Sequence, residues 1–281
     1  MIYLILLIAA QTTVMYAMRL TNSHGKNRYA VILFSYIFGM IFSYFLMDDK
    51  SALFRDEHDF FTIWFGMLNG VAMVSGLHLI TLCIKKNGTP ISTTFNRLGI
   101  FVPVIFSIFL FDEIPSIVQT IGIAIVAAAM ITMNAGGDKA KENHVQSPAL
   151  LAAVFLIGGI IDLDSKIFDI FGDAGSKDHY TFYTFVTCVA LSVVLFIVKN
   201  RALVARDIGI GALLGIPNSL TLILTLKAVD SFPAYIVFPA ASAGVIVAVS
   251  LISYFFLKEV LTKREKYAVA MIVVALVLIN I

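Results

Sequence analysis

The chain has 281 residues, of which 59% are hydrophobic and 14% are charged, and its formal net charge is +2 at pH 7. Because soluble domains carry roughly a quarter charged residues, this composition excludes an ordinary soluble domain and indicates a protein of the lipid bilayer. The mean hydropathy of +0.93 agrees with that reading. The net charge is uninformative by itself, and we expect no nucleic-acid partner.

Ten apolar runs are long enough to cross roughly 30 Å of hydrocarbon as helices, and too long for the strands of a barrel. They cover residues 2–20, 29–47, 61–84, 89–111, 115–134, 148–171, 180–199, 207–229, 232–257 and 263–281. The first run has neither a basic segment before it nor a cleavage site, so we interpret it as a helix and not as a signal peptide. Lys and Arg are concentrated in alternate connections, which predicts that both termini lie outside the cell.

Polar residues inside the first four spans are candidates for a substrate pathway. Gln11 and Asn69 are lone amides, and each suits either a ligand contact or a hydrogen bond between helices. The fourth span contains Arg97, preceded by Thr93 and Asn96. A charge at membrane depth is costly unless it faces water or a partner, and a guanidinium suits carboxylates and phosphates. This pattern predicts a substrate-binding group. The alternatives are a structural ion pair, or an arginine that reaches the membrane surface.

The sixth span contains three charged residues, Asp162, Asp164 and Lys166. Asp162 and Lys166 share one helix face, whereas Asp164 lies about 200° round from Asp162. Only one of the two carboxylates can therefore pair locally with Lys166, and the other must face another helix or water. We expect these residues to form a charge pair or a proton-coupling site. The alternative is that the helix ends near Ile161, which would place all three charges at the membrane surface.

The eighth span is interrupted by Pro217, with Asn218 and Thr221 following on one face. Proline frees a backbone carbonyl one turn back and kinks the helix, and such breaks often mark a site, although kinks also occur without any ligand. We predict that Asn218 and Thr221 line a cavity together with Arg97. We also predict that Asp162 or Asp164 balances the charge of Arg97, since proximity lowers the cost of burying both charges.

The sequence repeats itself with a shift of about 146 residues. "SIFLFDEIPSIVQTIGIAIVAAAMITMN" aligns without a gap on "SYFFLKEVLTKREKYAVAMIVVALVLIN", which places Glu113 on Glu259. Two glycine motifs stand in nearly the same register, Gly66-x-x-x-Gly70 in the third span and Gly211-x-x-x-Gly215 in the eighth. Such motifs allow close backbone approach.

The repeat predicts two five-helix units, residues 1–134 and 148–281. Because five is odd, the second unit is inserted upside down relative to the first. Inverted repeats of this kind are a recurring plan of secondary transporters, with the substrate site near the middle of the bilayer.

With its ten spans, its five-plus-five repeat and a Glu in the tight turns "FDEIPS" and "LKEVLTKREK", the chain resembles the EamA-type members of the drug/metabolite transporter superfamily. The resemblance implies that helices one to four and six to nine surround a central cavity, while helices five and ten pack outside. The glycine that usually follows the turn is present as Gly122, but Ala268 replaces it in the second repeat. This departure affects the expected packing of the tenth helix.

No phosphate-binding loop, nucleophile motif or metal-ligand spacing occurs in the sequence. We therefore expect a secondary active transporter of the inner membrane that uses no cofactor, as a monomer or homodimer. By resemblance, it exports a small polar or amphipathic metabolite such as an amino acid, by alternating access around a midplane cavity. The alternative is a membrane-embedded enzyme or flippase for a lipid-linked or phosphorylated substrate, with Asp162 and Asp164 as acid and base and Arg97 as a phosphate clamp.

Overall fold

The computed structural model describes residues 1–24, 27–50, 60–134, 147–198, 204–255, 258 and 262–281. Within these ranges every regular element is helical. The α-helices are α1 (Ile2–His24), α2 (Arg28–Leu46), α3 (Phe60–Asn87), α4 (Thr89–Leu98), α5 (Phe101–Leu110), α6 (Ile117–Asn134), α7 (Pro148–Phe171), α8 (Lys177–Val198), α9 (Ala205–Ser231), α10 (Ala234–Phe255) and α11 (Lys263–Ile279). A 3₁₀ turn, Ala174–Ser176, precedes α8.

The ten predicted spans all correspond to helices in the described ranges, and one of them is divided. The span 89–111 consists of α4 and α5, which meet at Gly99. A Cβ atom at Gly99 would lie 2.7 Å from the backbone oxygen of Phe155 in α7, so only glycine allows this approach. The alternative that the sixth span ends near Ile161 is wrong, because α7 continues to Phe171.

Among the described residues, six stretches of helix are long and apolar enough to cross a bilayer, judged by length and composition. They are Arg28–Leu46, Phe60–Asn87, Ile91–Leu110, Ala174–Val198, Ala205–Ser231 and Ala234–Phe255. Shorter apolar helices cover Ile2–Met18 and Ile117–Met133. The protein is therefore all-helical in its described part and has the build of a multi-pass membrane protein.

The chain divides into two compact units, and each contains helices from both halves of the sequence. The first unit comprises Met1–Val74 and Asp164–Asp230, and the second comprises Ser75–Leu163 and Ser231–Ile281. Two of the three boundaries fall inside α3 and α7, and the third falls at the last residue of α9. The predicted repeats 1–134 and 148–281 are thus units of sequence, and each contributes to both compact units.

In the first unit, the glycine motif of α3 packs on α8. A Cβ atom at Gly66 would lie 2.9 Å from the Cβ of Tyr183, and one at Gly70 would lie 2.6 Å from the backbone oxygen of Thr184. Real Cβ atoms do not come this close to a backbone oxygen, so the two helices touch through their main chains. The predicted close approach at this motif is confirmed.

The glycine motif of α9 packs on α2 in the same unit. A Cβ atom at Gly211 would lie 2.6 Å from the Cβ of Phe34, and one at Gly215 would collide with the backbone oxygen of Ser35. The close approach predicted for the second motif is therefore confirmed as well. Each motif belongs to one half of the sequence and packs on a helix of the other half.

In the second unit, α6 packs on α11. Gly122 lies against α11, because its Cβ atom would be 2.8 Å from Cγ1 of Ile279 and 3.1 Å from the backbone oxygen of Ala275. Glu113 stands between α5 and α6, and its Oε2 accepts a hydrogen bond of 2.7 Å from the backbone N–H of Ala234, the first residue of α10. Glu259, its counterpart in the sequence repeat, lies outside the described residues.

Candidate functional site: a buried carboxylate in the first unit

A buried polar network surrounds Asp164 in the first unit. Asn69 Nδ2 donates a hydrogen bond of 3.1 Å to Asp164 Oδ2, and the hydroxyl of Tyr180 donates one of 2.8 Å to the same oxygen. Ser165 Oγ lies 3.4 Å from the Tyr180 hydroxyl. Asp164 is 8% exposed, while Asn69 and Tyr180 are fully buried. We call these four residues the Asp164 network.

Three helices position this network. Asp164 lies seven residues before the end of α7, at a depth of about 10 Å from that end. Asn69 lies between Gly66 and Gly70, whose contacts bring the backbone of α3 onto α8. Tyr180 belongs to the first turn of α8, where its side chain can reach α7. Asn69 therefore lies in the part of α3 whose backbone contacts α8, and its side chain reaches Asp164 on α7.

Aromatic stacking fixes the ring of Tyr180. Its ring is stacked on Phe168, with centroids 4.3 Å apart and an interplanar angle of 18°. Phe168 is stacked in turn on Phe61 of α3, with centroids 6.2 Å apart. Because Tyr180 and Phe168 are both buried in the core of the unit, the phenol hydroxyl is held in place at Asp164.

A second group of polar residues, the end cluster, joins the ends of α7, α8 and α9. Lys177 lies 2.7 Å from Asp169 Oδ1 and 2.9 Å from Asp230 Oδ1. Lys166 lies 3.7 Å from Asp169 Oδ2, and its Nζ donates a hydrogen bond of 3.2 Å to the backbone oxygen of Val229. Two lysines and two aspartates thus neutralise one another, with Asp230 exposed and Lys166 buried.

The structure separates the charged residues of α7 that the sequence grouped together. One of the two aspartates was predicted to face another helix or water, and Asp164 faces two other helices. Lys166 does not pair with Asp162, since its partner at ion-pair distance on α7 is Asp169. Asp162 is half-buried and belongs to the second unit.

The predicted balance between Arg97 and Asp162 or Asp164 stays a prediction, and Asp164 belongs to a different unit from Arg97. The hydrogen bonds of Asp164 come from Asn69 and Tyr180 within its own unit. Asp162 shares the second unit with Arg97, but no ion pair joins the two among the described residues. The Asp164 carboxylate accepts its hydrogen bonds from neutral donors on α3 and α8.

The remaining predicted site residues lie at different places. Gln11, Thr93 and Arg97 are half-buried, and Asn96 is exposed on the α4 turn that approaches Gly158 of α7. None of them belongs to the Asp164 network.

Asn218 and Thr221 are half-buried in α9, which continues through Pro217. The hydroxyl of Thr221 donates a hydrogen bond of 2.9 Å to the backbone oxygen of Pro217. Both residues belong to the first unit, whereas Arg97 belongs to the second. Their shared cavity stays a prediction.

Sequence reasoning missed Tyr180, Asp169 and Lys177. Tyr180 is one of ten tyrosines and stands at the start of an apolar span, where an interfacial position is the usual expectation. The only local signal was the four-residue spacing of Lys177 and Thr181 at the start of α8, which makes these two polar residues neighbours on the helix surface. Neither signal identifies Asp164 as the partner.

Comparisons with known proteins give the fold and no activity. No family model matches the chain. An uncharacterized protein of Haemophilus influenzae is 26% identical over 245 residues, which cover 83% of this chain and 81% of that protein. A protein of known crystal structure superposes with a TM-score of 0.77 at 15% identity, covering 99% of this chain and 98% of that one. At this identity the structural likeness concerns the fold alone.

Proposed function

We propose that the protein is a secondary transporter of the inner membrane that exports a small polar or amphipathic metabolite. The observation that carries this proposal is the Asp164 network, a buried carboxylate held by side-chain donors among apolar helices. Ionisable residues inside membrane helices are costly, and they mark pathways for ions and substrates. Transport then depends on Asp164 being exposed alternately to the two sides of the membrane.

An inverted repeat would give the chain two states, each of which exposes Asp164 to one side of the membrane. The pairing of α2 with α8 supports an inverted repeat. The two helices run in opposite directions. His179 Nε2 at the start of α8 is 3.0 Å from the backbone oxygen of Asp49 beyond the end of α2, while Tyr36 lies further back on α2 with its ring 6.2 Å from that of Phe185. A Cβ atom at Gly39 would lie 2.6 Å from the Phe185 ring. Gly39 and Phe185 are 146 residues apart, which is the shift of the sequence repeat.

The pairing of α6 with α11 supports the same arrangement in the second unit. Gly122 near the start of α6 contacts Ile279 at the end of α11, so these helices also run in opposite directions. Residues related by the 146-residue shift share their burial, as in the fully buried pairs Val126 with Ile272 and Ala129 with Ala275. A helix that packs antiparallel on its own counterpart is what a half-turn between inverted repeats produces.

Flux measured with purified protein in liposomes tests the proposal. Amino acids, amines, sugars and phosphorylated metabolites are first screened by thermal stabilisation, and those that stabilise are then tested for counterflow. We expect flux with wild-type protein and its loss in Asp164→Asn, which keeps the shape and one acceptor oxygen. Asp112→Asn is the matched control, because Asp112 is exposed in a turn with φ 52, a conformation that Asn tolerates.

The same preparation separates transport from the enzyme or flippase alternative. Turnover or translocation of a lipid-linked substrate, with no flux of any solute, would contradict the transporter and support the alternative.

A further inference from the structure

Lys166 and Lys177 have acidic partners, whereas Asp164 has no basic partner among the described residues. Within the end cluster, Lys166 of α7 contacts Asp169, and Lys177 of α8 contacts Asp169 and Asp230. Among the described residues, no Lys, Arg or His makes a hydrogen bond or ion pair with Asp164. Its hydrogen-bonding groups are an amide from α3 and a phenol from α8, and both are neutral.

The geometry of the two donors leaves one carboxylate oxygen for a ligand. Asn69 and Tyr180 both donate to Oδ2, so Oδ1 carries neither of these hydrogen bonds. N–H and O–H groups that point at a carboxylate favour its ionised form. A buried carboxylate without a cation is nevertheless costly, and a positive charge brought to it would remove that cost.

Resting on the proposed transport function, we infer that Asp164 is the binding group for a positive charge, either a proton or the ammonium group of a substrate, and that Tyr180 positions it. An anionic ligand would bring a second negative charge to a site whose donors already serve Asp164. The site therefore selects cationic and amine-bearing solutes over carboxylates and phosphates of the same size. Tyr180 has this role because its stacked ring holds the hydroxyl at Oδ2.

Binding of three matched probes tests the charge preference. Phenethylamine, 2-phenylethanol and 3-phenylpropionate have similar size and shape and carry positive, zero and negative charge near neutral pH. Thermal stabilisation of the purified protein by each probe is measured for wild type, Asp164→Asn and the exposed control Asp112→Asn. We expect stabilisation by the amine alone, with affinity reduced by about tenfold or more in Asp164→Asn and unchanged in the control.

Infrared spectroscopy tests the proton without any added ligand. Acidification should produce the carbonyl band of a protonated carboxyl group in wild type, and this band should be missing in Asp164→Asn. In Tyr180→Phe the band should remain but move to higher wavenumber, because the carbonyl loses a hydrogen-bond donor. Tyr183→Phe removes a hydroxyl one turn further along α8 and should leave the band unmoved. A purely structural role of Tyr180 would not shift the band.

The outcomes separate the two sources of charge. An Asp164-dependent band without amine binding identifies the proton, and Asp164-dependent amine binding identifies the ammonium group. Stabilisation by 3-phenylpropionate that depends on Asp164, or no response that depends on Asp164, overturns the inference. Since neither experiment requires flux, a cation site without flux would refute only the transporter, and flux without a cation site would refute only this inference.

Discussion

Asp162 and Asp164 stand two residues apart on the same helix, and their surroundings differ in every respect. Asp164 is buried in the first unit and accepts hydrogen bonds from Asn69 and Tyr180. Asp162 is half-buried in the second unit, and within the described chain no hydrogen bond or ion pair reaches it.

The two aspartates differ because they point to different sides of α7. Two residues along an α-helix turn the side chain by about 200°, so the two carboxylates cannot share a neighbour. On the side of Asp164, the contact of Gly70 with α8 brings Asn69 within reach. Further along α3, Gly76 faces Ile157 and Ile161 at ordinary contact distances. Asp164 thus has donors from α3 and α8, and Asp162 has none among the described residues.

The largest effect is expected from Asp164→Ala. It leaves the N–H of Asn69 and the hydroxyl of Tyr180 buried without their acceptor, and each such loss costs about 1–3 kcal/mol. We therefore expect a loss of about 3 kcal/mol or more in the free energy of unfolding, measured by thermal or denaturant unfolding in detergent. Asp164→Asn, which keeps an acceptor oxygen, serves as the control and should lose much less. Equal losses in both variants would mean that the hydrogen bonds contribute little.

Gly70→Ala comes next, because a Cβ atom at this position would lie 2.6 Å from the backbone oxygen of Thr184 and 2.7 Å from Cβ of Thr187. Helix α3 must then move away from α8 and take Asn69 with it. Overpacking of this kind costs about 1–3 kcal/mol. Gly76→Ala is the matched control on the same helix, where the added methyl group meets Ile161 at 3.4 Å. It should be neutral or slightly stabilising, because alanine favours helix. Equal destabilisation by both changes would contradict the role of Gly70.

Much of this fold was predictable because it depends on local pattern. Apolar length gave the helices, and the spacing of Gly66 and Gly70 gave a close backbone contact. The angle of about 200° between Asp162 and Asp164 predicted that one of the two faces another helix, and Asp164 does. Partner identity was not predictable, because Tyr180 is 16 residues from Asp164 and Asn69 is 95 residues away, and nothing local to either residue encodes the meeting.

The site was harder to predict than the fold, because apolar runs contain few polar residues and each looks like a candidate. Arg97 was predicted to pair with Asp162 or Asp164 because buried charges need opposite charges, and this pairing stays a prediction; the donors at Asp164, Asn69 and Tyr180, are neutral and were not predicted as its partners. The break between α4 and α5 at Gly99 was missed because hydropathy does not register a single glycine.

Tyr180→Phe should have a smaller effect than either change above. It removes one hydrogen bond to a carboxylate and keeps the ring that stacks on Phe168. We expect a loss of about 1.5 kcal/mol in the free energy of unfolding. Tyr183→Phe, tested in the same denaturant titration, should change stability by less than about 0.5 kcal/mol. A double-mutant cycle with Asp164→Asn should show coupling, since residues in contact are not additive, and strict additivity would mean that the two groups do not interact.

The smallest effect is expected from Asp162→Ala, and its sign is the sharpest test of the comparison. No partner in the described chain is lost, a half-buried carboxylate is removed from helix α7, and alanine is the better helix former. The free energy of unfolding should therefore stay within about 0.5 kcal/mol of wild type or rise.

If Asp162→Ala instead destabilises as strongly as Asp164→Ala, Asp162 has a partner in the folded protein, and Arg97 in the same unit becomes the first to test. In that case Arg97→Gln should be destabilising on its own, and combining it with Asp162→Asn should recover stability, because removing both charges leaves neither unbalanced. If the losses in the free energy of unfolding are additive in the double variant, Arg97 and Asp162 do not interact. The destabilisation would then originate within α7 itself.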